Sequence, residues 1–65
     1  MTWFLVIKTS HDEHEIAIGP NESDALSALD EAQAQIGKTG VVRIVNRLTL
    51  KADDILSAQI KNRYP

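Results

Sequence analysis

The 65-residue sequence predicts one small α+β domain, in which a single helix covers one face of an antiparallel sheet of four or five strands in the order β-β-α-β-β-β. Three observations predict it. Residues 3–9 open with an aromatic and β-branched run, residues 14–18 alternate apolar and polar side chains, and residues 22–36 repeat apolar side chains at helical spacing. A chain of this length holds one domain.

Residues 3–9 carry Trp3, Phe4, Leu5, Val6 and Ile7 without a break, which suits a strand buried on both faces. Residues 10–12 are short and polar, so a hairpin is the simplest connection to the second strand. There Ile16 and Ile18 fall on one side, with Glu15 and Ala17 on the other. Gly19-Pro20-Asn21 ends the hairpin and opens the helix. Asn21 is the expected cap, with Ser23 as the alternative, and Glu22 and Asp24 favour the positive end of the helix dipole. Leu26, Leu29, Ala32 and Ile36 form the expected inner stripe beside Ala25 and Ala28, and Gly37 suits a left-handed close. Residues 41–45 and 48–51 read as strands three and four, joined by a tight turn at Asn46-Arg47. The segment 52–63 has two readings: Leu56, Ala58 and Ile60 alternate with Ser57, Gln59 and Lys61 as in a strand, while Ala52, Ile55, Leu56 and Ile60 also suit a helix; the turn-like Ala52-Asp53-Asp54 favours a fifth strand.

One helix covers one side of a sheet. Trp3, Leu5, Ile7, Ile16, Ile18, Val42 and Ile44 belong on the covered side. That assigns Phe4, Val6, Val41 and Val45 to the other, with Ile55 as a further candidate. Burying one such side chain contributes roughly 1.5–3 kcal/mol, so four in water would forgo much of a small domain's stability. A second copy of the chain is the expected cover, and residues 55–64 folding back are the alternative. No cysteine is present, so a disulfide cannot make up the difference.

Hydrophobic residues at 43% and charged residues at 25% are ordinary for a globular domain and exclude wholesale disorder. The longest apolar run is too short for a membrane span and lacks the flanks of a secretory signal, so the expected setting is the cytoplasm, with no membrane contact. The net charge of −2 conceals an uneven distribution. Up to residue 36 stand Asp12, Glu13, Glu15, Glu22, Asp24, Asp30 and Glu31 against Lys8 alone; beyond it stand Lys38, Arg43, Arg47, Lys51, Lys61 and Arg63 against Asp53 and Asp54. Glu22, Asp24, Asp30 and Glu31 make a candidate acidic partner face. Arg43, Arg47, Lys51, Lys61 and Arg63 make a candidate contact for nucleic acid or a protein partner, although Tyr64 is the one aromatic residue near them for base stacking.

Catalysis has little foothold in the sequence. Asp53 and Asp54 are adjacent and diverge, Gly19, Gly37 and Gly40 are scattered, and no phosphate loop or triad spacing occurs. His11-Asp12-Glu13-His14 is the one group of metal-ligand residue types, but residues three apart on a strand face opposite ways. The expectation is therefore no catalytic, cofactor or metal site. The leading function is a non-catalytic protein–protein interaction module, a homodimeric accessory or inhibitory protein. The alternative is a small nucleic-acid-binding regulator using the basic C-terminal strands.

Overall fold

A computed structural model describes residues 1–63. The chain runs β1 (Thr2–Thr9), β2 (Glu13–Gly19), α1 (Glu22–Gln33), β3 (Val41–Ile44), β4 (Leu48–Lys51) and β5 (Ile55–Arg63), with a short 3-10 turn at Ala52–Asp54. The α+β class and the β-β-α-β-β-β order agree with the sequence reading. The strands divide between two antiparallel sheets: one of three strands in the order β2-β1-β5, and a separate β3-β4 hairpin.

Thr9 organises the first turn. Its hydroxyl accepts the amides of His11 and Asp12, and its amide donates to the Asp12 carbonyl at 2.8 Å. β1 then lies between β2 and β5, pairing Leu5 with Ile16 and Ile60, and Val6 with Glu15 and Gln59. Leu5 and Ile7 are fully buried under α1 and join Ala28, Ala32, Ile44 and Ile55 in the core.

The helix inner face is smaller than the spacing of its leucines suggests. Ala25, Ala28 and Ala32 are the buried residues, while Leu26 remains 47% exposed. With alanines beneath it, α1 lies close to the sheet, and Leu26, one position on from Ala25, falls about 100° further round the helix and outside that contact. The regular helix also stops at Gln33, three residues short of the expected end, leaving Ile36 in a following turn that Gly37 closes with φ +89°. Asn21 occupies the cap position with an extended backbone, but its side chain makes no capping hydrogen bond; its amide nitrogen donates to Asp24 Oδ2 at 3.4 Å. Asn21→Ala should therefore lower stability by less than about 0.5 kcal/mol, where a capping side chain would contribute about 1. Urea unfolding of the two proteins checks this.

β3 ends at Ile44, one residue earlier than expected, because Val45 and Asn46 both turn left-handed (φ 46° and 54°). A β-branched residue rarely adopts that conformation, which costs about 1–2 kcal/mol. Two contacts hold Val45 there. Its amide donates to Glu31 Oε2 on α1, and its side chain packs on the core. In β5, Ser57 pairs with Lys8 but Ile55 pairs with Thr9, so Leu56 is an extra, bulged residue. The bulge turns Ile55 inward (5% exposed) and leaves Leu56 outside at 65%. Ile55 therefore belongs to the helix-covered side, not to the opposite one.

Candidate interaction surface

The side of the three-stranded sheet away from α1 is dressed by its own polar side chains. Phe4 and Val6 on β1 share it with Glu13, Glu15 and Ala17 on β2 and with Ser57, Gln59, Lys61 and Arg63 on β5. Arg63 reaches across β1. Its guanidinium sits 5.3 Å from the centroid of the Phe4 ring and its Nη2 lies 2.5 Å from Glu15 Oε1. This joins both outer strands over the aromatic face, a cation–π contact and an ion pair made by one side chain. Val6 is only 1% exposed.

The four residues assigned to self-association consequently do not share one surface. Phe4 and Val6 lie on this dressed face, Val41 is 71% exposed on the outer side of the β3-β4 hairpin, and Val45 packs against the core from the turn. What separates them is the division into two sheets together with the left-handed turn at Val45.

The five basic residues are divided as well. Arg43 and Lys51 lie on the outer side of the β3-β4 hairpin, where Arg43 donates to the Asn46 carbonyl at 3.0 Å. Arg47 donates from Nη1 to the Ala17 carbonyl of β2. Lys61 and Arg63 lie on β5, with Arg63 held by Glu15. They form no single stripe, and Tyr64 lies outside the described residues. Among the acidic candidates, Glu31 accepts the Val45 amide and Asp24 accepts from Asn21. Glu22 and Asp30 flank Leu26 at four-residue spacing, which places all three along one exposed stripe of α1. His11 and Asp12 occupy the first turn, and Glu13 and His14 begin β2 on opposite faces. Among the described residues no three His, Asp or Glu side chains are grouped to hold a metal ion, and no helix is long and apolar enough to cross a membrane.

The two rims of the three-stranded sheet differ. On β2, Arg47 from the hairpin turn occupies the Ala17 carbonyl. Among the described residues neither β2 nor β5 has a strand on its outer rim; β5, nine residues long, is the longer of the two and carries no such side-chain contact on its backbone. A long unpaired rim presents a row of amides and carbonyls that can template another strand. Sequence reasoning read this segment as a plain edge strand, but it missed the bulge and the Arg63 bridge. No signal marked the bulge, because Leu56, Ala58 and Ile60 are apolar at the even spacing of an unbroken strand.

No protein-family model, curated protein or solved structure matches the chain.

Proposed function

We propose that this domain is a non-catalytic protein–protein interaction module, a small homodimeric accessory or inhibitory protein that acts by what it binds. The observation that carries the reading is the unpaired rim of β5, with Leu56 65% exposed at its start. A nine-residue rim beside an exposed leucine is a liability for a chain that stays alone and an asset for one that assembles. The cytoplasm is the proposed compartment, which the absence of cysteine suits. A nucleic-acid role is less well supported, because Arg47 and Arg63 are engaged within the chain and the five bases are divided between two sheets.

Sedimentation velocity from low to high micromolar concentration tests the reading. The expected result is a monomer–dimer equilibrium, with an unfolding midpoint that rises with protein concentration. A monomer throughout, or tight binding of duplex or single-stranded nucleic acid that survives moderate salt, would turn it over.

A further inference from the structure

Resting on the homodimer reading, we propose where the second copy attaches: two chains join along β5, antiparallel and two-fold symmetric, into one six-stranded sheet (three strands from each copy) with the order β2-β1-β5-β5-β1-β2.

The argument begins with the two rims. If both were open, β5 of one copy could pair with β2 of the next, and the chain of copies would not close. Charge favours that contact, since β2 carries Glu13 and Glu15 and β5 carries Lys61 and Arg63. Arg47 stands against it, because its guanidinium occupies the Ala17 carbonyl on the β2 rim. A strand arriving on β2 would have to displace that guanidinium, whereas among the described residues no side chain is bound to the backbone of the β5 rim; pairing β5 with its own copy closes the assembly at two.

Symmetry and charge then select the register. Residues directly opposite in an antiparallel pair share a face. In a two-fold pair of identical strands one residue must therefore face itself. Centring on Lys61 would oppose like charges, which is destabilising. Centring on Gln59 sets Ala58 against Ile60 of the second copy and Ser57 against Lys61. The two Lys61 ammonium groups then lie four residues apart along the strand, about 14 Å, beyond the ~8–10 Å screening length of ordinary buffers. Ala58 and Ile60 are only half-buried within one chain, and this register completes their cover. The bulge at Leu56 limits the pairing to residues 57–61 of each copy.

The helix supplies a second contact. Around α1, Leu26 and Glu31 lie on opposite flanks of the buried alanine face. Glu31 reaches Val45 in the hairpin turn, and Arg47 of that same turn reaches β2. The Glu31 flank thus faces the β2 side, and Leu26, 47% exposed, faces the β5 side. Since α1 packs chiefly on β5 and β1, pairing along β5 brings the two helices side by side at Leu26, where the leucine contact must outweigh the repulsion between Glu22 of one copy and Asp30 of the other.

A cysteine scan tests the proposal, and the chain has no cysteine of its own to interfere. Ser57→Cys, Gln59→Cys and Lys61→Cys replace exposed side chains on β5, with Glu13→Cys on β2 and Thr49→Cys on β4 as controls. Under mild oxidation the Gln59→Cys variant should become mostly disulfide-linked dimer and the controls should stay monomeric on a denaturing gel. Leu26→Ser should weaken association about ten-fold, or 1.4 kcal/mol, while leaving the fold intact by circular dichroism. A wild-type dimer in sedimentation whose β5 cysteines cross-link no better than the controls overturns the β5 interface and leaves the homodimer reading standing. A wild-type monomer at high micromolar concentration overturns both. Growth into open-ended polymers overturns the closed two-fold arrangement.

Discussion

Ile44→Ala should remove about 2–5 kcal/mol of stability. A domain below 70–80 residues seldom has more than about 3–5 kcal/mol from its core, so the variant should be largely unfolded at room temperature. Ile44 is fully buried and is the one residue of β3 or β4 that enters the central core cluster. Around it Val42, Leu48 and Leu50 are half-buried, and how far they relax into the space it leaves sets where in that range the loss falls. The loss extends beyond packing. Ile44 holds the turn from which Val45 binds Glu31 and Arg47 binds Ala17. Released, that turn would uncover the β2 rim and present a second open strand edge, so the variant should also precipitate more readily than wild type. Urea unfolding monitored by circular dichroism, with light scattering on the same samples, checks both effects. A loss below about 1 kcal/mol would show that the hairpin is held mainly by its hydrogen bonds and not by Ile44.

The parts of this fold that were legible in the sequence are those set by neighbours along the chain. Alternation at residues 14–18, the polar turn before it and the Gly-Pro-Asn break after it lead directly to β1, β2 and the start of α1. The segment 52–63 was only half legible, since its apolar pattern suits a helix as well as a strand; the turn-like Ala52-Asp53-Asp54, a 3-10 turn in the structure, was what favoured the strand. The division into two sheets was not legible. It depends on Val45 taking a left-handed conformation that its residue type disfavours, and the compensation comes from Glu31, fourteen positions away. The dressed face was hidden for a similar reason. Counting apolar side chains leaves Phe4 and Val6 bare, whereas strand register brings Arg63 and Glu15 over them. The candidate surface moved accordingly. Phe4 and Val6 have cover within the chain, and the groups left without a strand partner among the described residues are backbone groups of the sheet's edges, β5 above all, which no pattern of side chains reports.

Ala32→Leu should destabilise the domain by about 1–3 kcal/mol through overpacking. For a chain this small that corresponds to a fall in the melting midpoint of roughly 5–20 °C. Helix propensity favours alanine over leucine only slightly, so a loss of this size must come from the contact and not from the helix itself. Ala32 is fully buried with Ala25, and Ala28 is 4% exposed. Three small side chains set the separation between α1 and the strands beneath it. A leucine at the centre of that contact must either distort Leu5 and Ile7 below it or lift the helix away. Lifting the helix lengthens the reach from Glu31 to the Val45 amide, the bond that holds the left-handed turn, so the strain at Val45 would lose its compensation as well. The same exchange in reverse on the flank, Leu26→Ala, should leave the melting midpoint of the isolated monomer within about 4 °C, since Leu26 lies outside the core and surface changes are usually within 0.5 kcal/mol. Differential scanning calorimetry at low concentration, where assembly does not contribute, separates the two. A midpoint for Ala32→Leu equal to that of wild type would mean the helix does not sit on its alanines, and the close approach of α1 to the sheet would have to be abandoned.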